Sequence, residues 1–133
     1  MKVTKLLHTR MRVSDMEQTI RFYTEVLGLE VLERKVSPRG SHLAFLKVPN
    51  SEELIELCSF PSSGPVIVQE DLVHLAFQVE NLDDTIEQLG AKPLTDELQR
   101  IAGIRRKSEL PAAFAHFNRM GISAPITFDV TQD

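Results

Sequence analysis

The chain has 133 residues, 42% hydrophobic and 26% charged, with a mean hydropathy of −0.12. That is the composition of one soluble globular domain with a core of its own, and it excludes a disordered chain. Fifteen Lys and Arg against nineteen Asp and Glu leave a net charge of −4, with no cationic excess to release counterions from a polyphosphate. Nucleic acid and anionic membranes are therefore excluded as primary partners. The single cysteine, Cys58, allows neither an internal disulfide nor a thiolate metal cluster, and a buried, inert thiol is expected. Lys2, Lys5, Arg10 and Arg12 break the N-terminal apolar stretches before signal-peptide length. No later run approaches the ~18 apolar residues of a membrane span, so a cytoplasmic location is expected.

Residues 3–13 alternate, with Leu7, Thr9, Met11 and Val13 on one face and Leu6, His8, Arg10 and Arg12 on the other, as in a strand. Ser14 followed by Glu17 predicts a capping box. Met16, Ile20, Tyr23 and Leu27 then recur at helical spacing, and Gly28 supplies a stop, which predicts a helix over 15–27. Three β-rich stretches follow at 29–36, 42–48 and 53–59, separated by turn chemistry at Pro38-Arg39-Gly40 and Pro49-Asn50-Ser51. The first half, residues 1–60, reads as a βαβββ module. Pro61-Ser62-Ser63-Gly64-Pro65 opens a linker spanning 61–70.

Residues 71–133 repeat this order. His74 follows His8 by 66 residues, and at the same shift Val79 falls on Val13, Thr85 on Thr19 and Ile86 on Ile20. Val73, Leu75, Phe77 and Val79 alternate as a strand. Asn81 suits the cap of a helix carrying Leu82, Ile86 and Leu89, and Gly90 ends it. Beyond residue 91 the pattern weakens: 99–107 is partly basic, 112–118 fits strand or helix, and 125–131 reads as a final strand. The fold class expected is α+β, two tandem βαβββ modules in one domain, their sheets curling around a cleft with helices outside.

Under this duplication His8 and His74 take equivalent positions on equivalent strands. Two imidazoles facing one cleft point to a metal, although either alone is more often a solvated or hydrogen-bonded strand histidine. Glu56 lies in Leu54-Ile55-Glu56-Leu57-Cys58 and shares a face with Leu54 and Cys58. A carboxylate among apolar neighbours is either ionised against a cation, protonated, or at a wet strand edge. Asp129, in Ile126-Thr127-Phe128-Asp129-Val130, repeats the same apolar, acidic, apolar order and is the fourth candidate, against a solvent-facing acid near the terminus. His42 and His116 have no repeat partner, and Arg105-Arg106-Lys107 reads as a solvated basic patch.

Leu7-His8-Thr9-Arg10-Met11-Arg12-Val13-Ser14-Asp15, Phe22-Tyr23-Thr24-Glu25-Val26-Leu27-Gly28-Leu29, Ile55-Glu56-Leu57 and Val73-His74-Leu75-Ala76-Phe77 together resemble the vicinal-oxygen-chelate superfamily, and within it glyoxalase I, over roughly residues 5–94. The resemblance implies the glyoxalase/bleomycin-resistance/dioxygenase fold and a homodimer. It also implies a divalent metal (Ni, Zn, Co or Mn) held by His8, Glu56, His74 and Asp129. The implied reaction is that of a lactoylglutathione lyase: Asp129 moves a proton next to a carbonyl through a metal-stabilised enediolate, on the thiol hemithioacetal of a 2-oxoaldehyde. Arg12 matches the arginine that holds a glutathione carboxylate. Phe60 stands where glyoxalase I has an asparagine for glutathione, and Asn118-Arg119-Met120-Gly121 replaces the family's Asp-Pro-Asp-Gly-like turn. Two other readings stand beside this one. Leu43-Ala44-Phe45-Leu46-Lys47-Val48 and Asn81-Leu82-Asp83-Asp84-Thr85-Ile86 resemble methylmalonyl-CoA epimerase. A non-catalytic small-molecule binder of the bleomycin-resistance type shares the fold, although seven Phe, one Tyr and no Trp offer it little stacking surface.

Overall fold

The computed structural model describes residues 1–69, 72–81, 84–85, 121–122 and 126–130. The chain divides into two compact units, Met1–Pro65 and Val66–Asp133.

In the first unit, β1 (His8–Arg12) is followed by α1 (Met16–Arg21), which runs on into a wider helical turn (Phe22–Val26), and then by β2 (Glu30–Val36), β3 (His42–Lys47) and β4 (Leu54–Ser59). The strands form one mixed sheet in the order β1-β4-β3-β2, so the last strand is inserted between the first and the third. β1 runs parallel to β4, and the two antiparallel pairs β3/β4 and β2/β3 complete the sheet. This is the βαβββ order expected from the sequence. The N-terminal stretch is much shorter than its alternation: Leu6 and Leu7 are both exposed, and pairing starts where the Leu54 amide meets the Leu7 carbonyl at 3.0 Å.

The helix departs from expectation in two respects. Its cap is Asp15, one residue beyond Ser14: the backbone there is extended, and the carboxylate accepts the Gln18 amide at 2.9 Å. The Asp15 carbonyl also takes the Thr19 amide at 3.1 Å and the Thr19 hydroxyl at 2.6 Å, so Thr19 is buried without an orphaned group. The last turn, Phe22–Val26, is wider than an α-helix, with the Leu27 amide reaching back five residues to the Phe22 carbonyl. Widening places the consecutive aromatic rings of Phe22 and Tyr23 both in the core with Val26, while Ile20 and Leu27 are only half-buried. Gly28, at φ +74°, then reverses the chain into Leu29.

α1 covers the face of the sheet that carries Met11, Ala44, Leu46, Ile55 and Leu57, all buried. The opposite face carries His8, Arg10 and Arg12 of β1, level with Leu54, Glu56 and Cys58 of β4. Phe45 of β3 stands level with Glu56, and Glu33 of β2 with Phe45. Strand β2 is exposed along almost its whole length and rich in Glu, Arg and Lys, the composition of an edge strand. Cys58 is a buried free thiol, as expected.

In the second unit, β5 (Leu75–Val79) pairs in parallel with β6 (Ile126–Val130), as β1 does with β4. The cap repeats as well. Asn81 accepts the Asp84 amide on its side chain at 2.9 Å, and its carbonyl takes the Thr85 amide at 3.1 Å and the Thr85 hydroxyl at 2.7 Å. These are the bonds Asp15 makes 66 residues earlier, so the duplication extends to single hydrogen bonds. The readings at 99–107 and 112–118 and the helical positions Leu82, Ile86 and Leu89 lie outside the described residues.

Candidate functional site

Glu56 is the chemical centre of the first unit. It sits on β4, an interior strand flanked by β1 and β3, and is 1% exposed. That removes the wet-edge alternative. An unpaired carboxylate in such a place costs several kcal/mol, so its oxygens must be matched. His8 Nε2 stands 2.9 Å from Oε2. Arg10 donates to Oε1 through Nε at 2.9 Å, and its Nη2 lies 2.7 Å from the same oxygen. The parallel register sets Arg10 directly opposite Glu56, with His8 one pair earlier on the same face. The carboxylate in turn raises the pKa of the Arg10 guanidinium, through its hydrogen bond first and its charge second. Both basic partners reach solvent, His8 at 43% and Arg10 at 51% side-chain exposure, so the buried acid is approached from the open face.

Aromatic packing holds the imidazole. His8 meets Phe45 edge to face at 5.8 Å between ring centroids and 86° between planes. Lys35 Nζ lies 4.8 Å from the centre of the Phe45 ring and 3.5 Å from Glu33. A second concavity, of about 190 Å³, lies between Met16, Arg34, Lys35, Val36, His42 and Leu43. Its cations are already engaged: Arg34 is hydrogen-bonded to Glu17, and Lys35 is ion-paired with Glu33 as above.

The His8 and Glu56 donor atoms fit a shared divalent cation. Two ligands with bonds of about 2.0–2.2 Å at a right angle would sit about 3 Å apart, and Nε2 and Oε2 are 2.9 Å apart. An imidazole and a carboxylate form a nitrogen and oxygen donor pair suited to Zn, Ni, Co or Mn. Among the described residues, no group of three or more His, Cys, Asp or Glu converges as a metal cluster. The other two candidates belong to the second unit. His74 is exposed and immediately precedes β5, while Asp129 lies on β6 in register with Gln78. Position by position, Ala76 is the counterpart of Arg10, and its partner is Thr127. Thr127, not Asp129, therefore stands level with Glu56 in the repeat. Arg12 projects from the exposed face of β1, two residues beyond Arg10.

Arg10 and Phe45 are the site residues that sequence reasoning missed. Arg10 alternates in phase with His8 and Arg12, which was the available signal. Its pairing with Glu56 depends on which strand lies beside β1.

Residues 5–101 match the sequence profile of the Glyoxalase/Bleomycin resistance protein/Dioxygenase superfamily. The fold, the internal repeat and this match together define the class: the chain belongs to that superfamily. A probable lactoylglutathione lyase of Synechocystis is 31% identical over 90 residues, covering 65% of this chain and 69% of that protein. The lactoylglutathione lyase of Salmonella typhimurium is 34% identical over 88 residues, covering 64% and 65%. The chain thus matches about two thirds of the length of these relatives. Among solved structures, the trypanothione-dependent glyoxalase I of Leishmania major superposes with a TM-score of 0.56 at 31% identity, covering 65% of each chain. An antibiotic-binding protein from Streptomyces shares the fold, with a TM-score of 0.55 at 20% identity, covering 71% of this chain and 75% of that one. Among the described residues, no helix is long and apolar enough to cross a membrane.

Proposed function

We propose that the chain is a metal-dependent lyase or isomerase of the glyoxalase I type, moving a proton next to a carbonyl in a thiol hemithioacetal of a 2-oxoaldehyde or a similar small molecule. The observation that carries this reading is the buried Glu56 carboxylate with His8 Nε2 at 2.9 Å from its Oε2. Similarity to lactoylglutathione lyases supports the substrate class. In the proposed site His8 and Glu56 are ligands from the first unit, and His74 and Asp129 are ligands from the second. A bound divalent cation would supply positive charge beside the oxyanion that develops as the carbon-bound proton leaves. His8 would hold that cation through Nε2, its ring positioned by Phe45. Asp129 takes the proton from one carbon and returns it to its neighbour. Arg12, with a planar guanidinium on the open face, holds a substrate carboxylate by paired hydrogen bonds. The active species is taken to be a cytoplasmic homodimer.

The test is metal content and hemithioacetal isomerisation of the wild-type, His8→Ala and Asp129→Asn proteins with added Ni or Zn. The reading expects about one equivalent of metal in wild type, its loss in His8→Ala, and metal without turnover in Asp129→Asn. Full activity of Asp129→Asn would remove that residue from its role, and wild-type metal binding without turnover would redirect the search to another substrate. Epimerase chemistry is separated by product stereochemistry. One observation favours a second, non-catalytic reading as a small-molecule binder: Thr127, which carries no charge, stands at the register position of Glu56 in the second unit. That reading predicts ligand binding unaffected by chelator.

A further inference from the structure

The buried acid of the first unit has its own counter-charge. Nε and Nη2 of Arg10 both engage Glu56 Oε1, at 2.9 and 2.7 Å, so two charge-assisted donors converge on that oxygen. Oε2 faces His8. The negative charge of Glu56 is thus already answered by a guanidinium that stays protonated at any ordinary pH. A divalent ion at Oε2 would lie within a few ångströms of that fixed positive charge, and the two repel. We propose that Arg10 is a positioning residue: it holds Glu56 through Oε1, competes with the metal for the carboxylate charge and sets a weak affinity at the site. This rests on the proposed role of His8 and Glu56 as metal ligands.

The experiment is calorimetric titration of Zn and, separately, Ni into the metal-stripped full chain, in wild type, Arg10→Gln and Arg10→Lys, each with and without His8→Ala. Glutamine keeps a donor for Oε1 and removes the charge; lysine keeps the charge. The expected result is binding at least about tenfold tighter in Arg10→Gln than in wild type, from relief of the charge repulsion, near wild-type affinity in Arg10→Lys, and loss of binding with His8→Ala. A merely structural Arg10 would give the opposite sign, since loosening Glu56 weakens binding. If wild type binds in a His8-dependent manner but Arg10→Gln binds no tighter, competition by Arg10 is overturned while the metal site survives. If neither protein shows His8-dependent binding, the metal-ligand reading fails and takes this inference with it. If Arg10→Gln folds only when zinc is present, as read by circular dichroism, the cation has replaced the guanidinium and the inference holds. If it stays unfolded with zinc, the inference is overturned.

Discussion

Tyr23 offers the sharpest test of how this core is built. It is fully buried, and its hydroxyl has no hydrogen-bond partner among the described residues. A buried, unsatisfied hydroxyl costs about 1–3 kcal/mol, and Tyr23→Phe removes it while keeping the ring that packs against Phe22 at 5.5 Å. The substitution is expected to stabilise the protein by about 1 kcal/mol at neutral pH, against the usual destabilising trend of core changes. A second signature follows from ionisation. Burial raises the Tyr23 phenol far above its ordinary value near 10. Below pH 10 the phenol is neutral in both states and its contribution is constant. As the pH rises above 10 the unfolded chain loses the proton while the folded one keeps it. Stability then falls by about 1.4 kcal/mol per pH unit until the folded phenol also ionises. Tyr23 is the sole tyrosine and the chain has no tryptophan, so tyrosinate absorbance reports this group alone. Urea unfolding of wild type and Tyr23→Phe at pH 8 and pH 11 should show a stability difference that widens at the higher pH. Tyrosinate forming near pH 10 in the folded protein, or a Tyr23→Phe protein less stable than wild type at pH 8, would refute the reasoning.

Three further outcomes are expected. Asp15→Ala removes the acceptor for the Gln18 amide and should cost about 1 kcal/mol in urea unfolding, whereas Ser14→Ala should cost less. Gly28→Ala meets no atom within 4 Å but forces a β-carbon onto φ +74°, so about 1 kcal/mol should be lost through backbone strain alone, with the thermal midpoint as readout. The Glu17 carboxyl is held below its ordinary value by its hydrogen bond to Arg34. Its stabilising contribution is therefore complete above the unfolded value near 4.5 and disappears as the pH falls through the lower, folded one. Carboxyl titration by NMR should show the Glu17 midpoint rising in Arg34→Ala, and no change there would contradict the pairing.

The sheet and helix of the first unit were legible because each carries its own period. Alternation in β3 and β4 assigns Ala44, Leu46, Ile55 and Leu57 to the helix-covered face without any knowledge of the partner strand. The helix was legible in extent but not in rotation. Met16, Ile20, Tyr23 and Leu27 satisfy an ideal 3.6-residue repeat, whereas the widened last turn shifts burial onto Phe22 and Val26. Nothing in the local sequence announces that widening; it is imposed by two adjacent rings packing into one core. The cap was misplaced by one residue because Ser14 and Asp15 are both good acceptors, and the choice between them is made by backbone direction at the end of β1.

The candidate site divides along the same line. Glu56 is conspicuous in sequence, since a carboxylate between apolar neighbours must be paired with a cation, protonated or wet. That Arg10 is one such cation depends on β4 inserting beside β1, a pairing between residues 46 positions apart. In the second unit the limit lies deeper. Thr127 and Asp129 have the same parity on β6, so a slip of one residue pair leaves every period-2 pattern intact, and hydrophobic alternation cannot tell which of them corresponds to Glu56. The β5/β6 register does: Thr127 stands level with Ala76 as Glu56 does with Arg10, and Asp129 stands level with Gln78, the counterpart of Arg12. Two residues of strand are about 7 Å. An acid working from Asp129 thus acts from a place farther along its strand than the Glu56 position, with neither the counterpart of Arg10 nor that of Glu56 charged beside it. For this reason the Asp129→Asn protein, and not a variant of the first unit, carries the most information about whether β6 supplies the base.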